Sequence, residues 1–163
     1  MTSSGLVRSA SHPSVNRFTL TPLPGEFAHT GLAKSADMLV LDSGGFSRLS
    51  SRTKTALTLV RALHRSGLLP AIVPTMVLVE SLHGDGSRDA NANRFLKTCI
   101  VEAEVSPAVA RRAAQLRRRA RAGSAVDALV VALAEPGGTV LTGDRADLEA
   151  LASHANNVTI EVV

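Results

Sequence analysis

The chain contains no tryptophan, no tyrosine and four phenylalanines, an aromatic content of 2%. That scarcity argues against a base-stacking platform of the kind RRM and OB folds use to hold single strands. It also dictates an aliphatic core of Leu, Val, Ala and Ile. The one cysteine, Cys99, lies in an apolar run. A single thiol closes no internal disulfide, and no Cys/His spacing for zinc accompanies it. A buried, inert thiol in a reducing, cytoplasmic setting is the expectation. No uninterrupted apolar stretch reaches membrane-spanning length, so no membrane partner is expected. There is no Gly-rich loop followed by Lys-Ser/Thr, which argues against a P-loop nucleotide hydrolase.

What is present suits one domain with a real core: 163 residues, 45% of them hydrophobic. Residues 1–37 differ from the rest. They are rich in Ser, Thr, Pro and Gly, and their only acids are Glu26 and Asp37. They read as a flexible N-terminal tail or extension ahead of a 38–163 domain, with Met38 opening the first strand. The net charge is +4. A basic balance is ordinary among soluble proteins, but it also suits a polyanionic partner.

From residue 38 the pattern alternates. Residues 38–42 read as a buried strand, Gly44-Gly45 as a turn, and 52–66 as a helix with Leu57, Val60, Leu63 and His64 on one face. Gly67 closes it. A strand over 69–73 precedes a helix capped by Thr75 that runs to Leu82, broken at Gly84-Asp85-Gly86. A helix over 88–97 and a strand over 98–105 follow. Ser106-Pro107 is a strong helix start, a capping serine and then proline at the first helical position. That helix runs to Ala122, and Ser124 opens the next. Strand 139–142, helix 145–153 and strand 157–162 finish the chain. Strand–helix alternation predicts an α/β domain, a three-layer sandwich on a central parallel sheet with right-handed crossovers.

Four carboxylates fall where such a sheet gathers ligands, at strand ends and the adjoining helices. Asp42 ends Met38-Leu39-Val40-Leu41, Glu80 lies on the helix after Pro74, Asp127 follows Ser124, and Asp144 follows Val140-Leu141-Thr142, with Asp147 close behind. Each has a plain alternative. Asp42 before Ser43-Gly44-Gly45 suits a turn. Glu80 suits a solvent face. Ser124-x-x-Asp127 is a capping box, and Asp144 and Asp147 suit a first helical turn. Acids gathered together repel, and a divalent cation is the simplest way to hold them.

The set Asp42-Ser43, Glu80, Asp127-Ala128-Leu129-Val130-Val131-Ala132 and Thr142-Gly143-Asp144-Arg145-Ala146-Asp147-Leu148 resembles the PIN-domain family. Within it the chain looks most like the VapC-type ribonuclease toxins of toxin–antitoxin pairs. The resemblance covers residues 38–163. It implies an α/β/α sandwich, an endoribonuclease dependent on Mg²⁺ or Mn²⁺, an RNA substrate, a cognate antitoxin and frequent homodimers. Asp42, Asp127 and Asp144 match the metal ligands. Glu80 would bind a second ion or position the attacking water, and Asp147 matches an auxiliary acid. Ser43 and Thr142 match hydroxyls that orient carboxylates or touch phosphate. The long segment before the first strand departs from the family pattern.

Arg111, Arg112, Arg117, Arg118, Arg119 and Arg121 crowd one helix, whose apolar stripe is Val109, Ala113, Leu116 and Ala120. A charge run is usually a solvated face. No acid lies between 105 and 126, however, so these arginines suit an RNA backbone or an acidic antitoxin segment. His64 and His83 read as surface or packing residues. Asp85 and Asp89 read as loop acids, with a second metal site as the alternative. The competing functional reading is a PIN-like module that binds RNA or a partner without cutting. A phosphotransfer domain built on Asp42 fits less well, since no second Asp stands two residues on.

Overall fold

The computed structural model describes residues 38–163; the expected tail over 1–37 lies outside the described residues. The five strands are β1 (Leu39–Leu41), β2 (Ile72–Pro74), β3 (Ile100–Glu102), β4 (Thr139–Thr142) and β5 (Thr159–Val162). They form one sheet in the order β3-β2-β1-β4-β5, and every pairing is parallel. Among the described residues the seven helices are α1 (Ser43–Ser50), α2 (Lys54–Arg65), α3 (Thr75–Ser81), α4 (Ala90–Leu96), α5 (Pro107–Ala120), α6 (Ala125–Ala134) and α7 (Ala146–Ala152). The expected three-layer α/β/α sandwich is what the chain forms.

The strand order explains the layers. From β1 the chain moves outward to β2 and β3, then returns to the other side of β1 for β4 and β5. Right-handed crossovers in opposite directions put their helices on opposite faces. Accordingly α1 packs with α2, α3 and α4, while α5, α6 and α7 pack with one another. The core between the layers is aliphatic, with Leu39, Val40, Leu41, Val73, Leu116, Val130, Val131 and Val140 all buried. One tilted aromatic pair, Phe46 and Phe95, joins α1 to α4 with ring centroids 5.9 Å apart. Strands β1 and β4 are covered on both faces, which is why they read as continuous apolar runs.

Several local expectations shift. Gly44-Gly45 is not a turn but the first turn of α1, which Asp42 caps. Phe46 and Leu49 supply that helix's buried face. The glycines are there for close approach. A Cβ on Gly44 would stand 2.6 Å from the Gly143 nitrogen, and one on Gly45 would overlap the Leu141 carbonyl. On α2 the inward face is Ala56, Leu59, Val60 and Leu63, whereas Leu57 and His64 are exposed. Strand β2 sits one to three residues later than expected, and Pro74, not Thr75, occupies the cap position of α3. The Ser106-Pro107 start, the α5 stripe of Val109, Ala113, Leu116 and Ala120, and β4 stand where the sequence put them. Cys99 is half-buried; its thiol donates to the Phe95 carbonyl at 3.5 Å, and burial pushes its pKa up. Among the described residues no helix is long and apolar enough to cross a membrane.

Candidate metal and catalytic site

Because the chain reverses direction at β1, its carboxyl end and that of its neighbour β4 open onto the sheet's switch point, where open α/β sheets bind ligands. Asp42 stands at this point, immediately after β1 and 7% exposed. Its Oδ1 accepts the Gly45 N–H at 2.6 Å, and its Oδ2 accepts the Thr142 hydroxyl at 2.5 Å. Thr142 is the last residue of β4 and fully buried. The carboxylate is thereby pinned between the first turn of α1 and the neighbouring strand.

Burial pushes the Asp42 carboxyl above the usual carboxylate range; the bonds from Thr142 and Gly45 pull it back only in part, and the negative charge of Asp127 raises it again. Asp127 stands in the first turn of α6. Its own geometry is a complete capping box: Oδ2 accepts the Ser124 N–H at 2.7 Å, and its N–H donates to Ser124 Oγ at 3.0 Å. The capping-box reading of Asp127 is thus what the structure shows. The helix cap fixes the half-exposed carboxyl.

Thr142 also links the pair to Asp144. Its Oγ1 accepts the Asp144 N–H at 2.9 Å and lies 2.8 Å from the Asp144 carbonyl oxygen. A hydroxyl has one hydrogen, so it donates to ionised Asp42 or to that carbonyl, not to both. Protonation of Asp42 would free the hydroxyl for Asp144. The loop after β4 is in this way coupled to the charge on Asp42.

The remaining expected residues are less gathered. The Asp144 carboxyl is exposed, with one long bond from the Ala146 N–H at 3.4 Å. Asp147 is exposed in the first turn of α7. Glu80 is exposed on α3, and Ser43 is half-buried as the first residue of α1. Among the described residues no group of three or more His, Cys, Asp or Glu side chains stands close enough to hold a metal ion. The donor chemistry nonetheless fits a hard cation. Asp42 and Asp127 would offer carboxylate oxygens whose mutual repulsion a positive charge would relieve, and Mg²⁺ commonly takes one or two carboxylates and keeps its other positions for water and phosphate.

Asp85 and Asp89 are loop-formers. Asp85 accepts from the Ser87 N–H, the Ser87 hydroxyl and the Arg88 N–H. Buried Asp89 accepts from the backbone N–H groups of His83 and Asp85 and from His83 Nδ1. These bonds hold both carboxyls below their usual range, and a loop so closed on itself offers few free oxygens to a cation.

The six arginines divide. Arg112 has a partner the sequence window hid: its Nε and Nη2 donate to Glu135 at 2.7 and 2.6 Å, and Nη2 also donates to the His154 carbonyl. Glu135 further accepts the Asn156 N–H at 2.7 Å. This clamp ties α5 to the end of α6 and the turn after α7, and it takes Arg112 out of the set of arginines open to RNA. Arg111, Arg117, Arg118, Arg119 and Arg121 are exposed and form no ion pair among the described residues.

Sequence reasoning missed the clamp and the glycine contact at Gly44, Gly45 and Gly143. The latter had a signal: two glycines three and four residues past the end of a buried strand suit a helix that must approach a neighbouring strand closely. No protein-family model matches the chain, and neither does any curated protein compared with it.

Proposed function

We propose that the chain is a divalent-metal-dependent endoribonuclease of the PIN type, with Asp42 and Asp127 at its centre. The observation that carries this reading is a buried acid at the switch point: Asp42 is pinned by Thr142 and raised in pKa first by its burial, with the negative charge of Asp127, from a distant segment, adding to the rise. A buried acid facing another acid costs stability and needs a reason. Bound Mg²⁺ or Mn²⁺ would polarise a phosphoryl oxygen and lower the pKa of water. Asp42 and Asp127 would hold it, and Thr142 would fix the Asp42 rotamer. Asp144 and Glu80, at the exposed rim, would position water or bind a second ion, with Asp147 and Ser43 as auxiliaries.

The resemblance to VapC-type toxins extends the proposal to a cognate antitoxin and a homodimer. Exposed Leu57, Met76 and Val79 supply apolar surface suited to one of these partners. A cytoplasmic setting follows from the same proposal. The second reading, a PIN-like module that binds RNA without cutting, is favoured by the outward placement of Asp144 and Glu80 and by the lack of a three-acid group among the described residues. Incubation of wild type and Asp42→Asn with a mixed RNA pool in EDTA, Mg²⁺ or Mn²⁺ separates them. Cutting that needs metal and vanishes in the variant supports the nuclease. RNA binding without cutting under any condition supports the module.

A further inference from the structure

Three of the free arginines are gathered into one place. Arg117, Arg118 and Arg121, with Ala114, Ala122 and Gly123, line an open concavity of about 600 Å³ where α5 ends. No carboxylate lines it. Arginines in the last turn of a helix complement its dipole, but that does not require them to share a concave surface. Arg121 is held in the left-handed region at φ 53°, a conformation that glycine takes without penalty and that an arginine takes at a cost. A helix end that needed only termination would be better served by glycine.

The concavity adjoins the acid pair. Arg117 Nε donates to the Gly123 carbonyl at 3.4 Å. A Cβ placed on Gly123 would lie 3.5 Å from the Asp127 Cβ. Gly123 is thus the backbone wall between the arginine cluster and Asp127.

We propose that Arg117, Arg118 and Arg121 form a phosphate-binding subsite that holds the backbone of an RNA strand beside Asp127. The proposal rests on the nuclease reading for its substrate class. Arginine forks match phosphate oxygens. A phosphodiester strand carries a charge at every nucleotide, so one phosphate can occupy the cluster while the strand continues past Gly123 toward Asp127. An acidic peptide would account for the arginines alone.

The test is binding of a 5′-labelled RNA oligonucleotide by fluorescence anisotropy, in EDTA and over a salt series. The variants are Arg121→Gly, Arg118→Ala/Arg121→Gly, and Arg111→Ala/Arg119→Ala as a control that removes two charges from the same helix. The first double variant should lose at least tenfold in affinity, and its salt slope should fall by about 1.4, roughly 0.7 for each lost phosphate contact on a single strand. The control should lose under threefold. Arg121→Gly relaxes the backbone, so its melting temperature should hold or rise while affinity falls, which separates binding loss from unfolding. Equal losses in the two double variants, or none, would overturn the subsite in favour of a diffuse charged face. Displacement of the RNA by poly-glutamate as readily as by unlabelled RNA would overturn it in favour of an acidic protein partner. Because binding is read without metal, the two readings fail separately. Cluster-dependent binding with no cutting in Mg²⁺ or Mn²⁺ removes the nuclease and keeps the subsite; metal-dependent cutting with cluster-independent binding does the reverse.

Discussion

Helix α6 carries one acid near each end, and each belongs to a different kind of structure. At its start, half-exposed Asp127 adds its negative charge to the surroundings of buried Asp42, whose carboxylate is held by backbone amides of α1 and the Thr142 hydroxyl, with no cation beside it among the described residues. Just past its end Glu135, as buried as Asp42, is gripped by both arms of Arg112 and by the Asn156 amide. One buried acid is neutralised by a fork-shaped cation, and the other is set against its own kind. The first arrangement joins α5, α6 and the turn after α7; removing either partner leaves a buried charge. The second adds nothing to the fold that an uncharged side chain could not, and under the proposed function it is where a cation would bind.

The strongest way to break that contrast is to exchange the expected losses. Arg112→Ala should destabilise the protein by about 3 kcal/mol, the lower end for a broken buried pair because Arg112 is partly exposed. Asp42→Asn should keep the acceptor for Gly45, remove the repulsion from Asp127, and leave the midpoint of urea unfolding unchanged or higher. RNA cutting should fall by at least about a hundredfold in the Asn variant, and survive per folded molecule in Arg112→Ala. An Asp42→Asn protein that unfolds easily beside a sturdy Arg112→Ala would mean that Asp42 is the structural acid.

The same contrast can be probed through the backbone that frames Asp42. Gly45→Ala would press a methyl group into the Leu141 carbonyl, and α1 would have to move away from β4. A loss of roughly 2–3 kcal/mol is expected, in the range of other overpacked cores. Gly67→Ala is the control, since nothing lies within 4 Å of its Cβ position. It keeps a backbone penalty from its positive φ but no clash, so urea titration of the two variants should rank Gly45→Ala as the more damaged.

Strand–helix alternation, the Ser106-Pro107 start and the Ser124–Asp127 box were legible because each depends on neighbours in the chain. Helix α1 was not, because the two glycines that locally suggest a turn are required by close approach to Gly143 for Gly44 and to the Leu141 carbonyl for Gly45, about a hundred residues on. Arg112 looked unpaired for the same reason: its acid lies 23 residues away, past the end of the next helix. For the site, the sequence placed Asp42 and Asp144 after strands, but it could not say that those strands are neighbours or where each carboxyl points. Asp42 turns inward because Gly45 and Thr142 offer it donors. Asp144 commits its backbone to Thr142 and leaves its side chain in solvent.

Thr142→Val sharpens the comparison through pH. The valine removes the hydroxyl from Asp42 and an acceptor from the Asp144 N–H, a loss of about 1–2 kcal/mol. Asp42 is raised above its unfolded value, so its contribution to stability is fully present below the ordinary carboxylate range and is lost as pH rises through the raised value. Wild type and Asp42→Asn should therefore melt most alike in acid and diverge above that window, with the Asn variant ahead. Since the Thr142 bond lowers the Asp42 value, Thr142→Val should move the window to higher pH. Thermal melts across pH on the three proteins read it directly; a window that stays in place would mean that the hydroxyl serves Asp144 and not Asp42.

The smallest expected effect on stability tests the rim. Glu80 and Asp144 are exposed, and replacing them with Gln and Asn should change stability by no more than about 0.5 kcal/mol. Their effect on cutting decides how far the site extends. If Asp42 and Asp127 alone do the chemistry, both variants cut RNA within a few-fold of wild type at saturating Mg²⁺. If the rim acids take part once substrate and ion arrive, activity falls sharply while the melt is unmoved. Activity restored by raising the Mg²⁺ concentration assigns the lost acid to ion binding, whereas activity that stays low at every concentration assigns it to the attacking water. That split is readable because these side chains carry so little of the fold: unlike Asp42 or Glu135, they can be changed without disturbing anything packed beneath them.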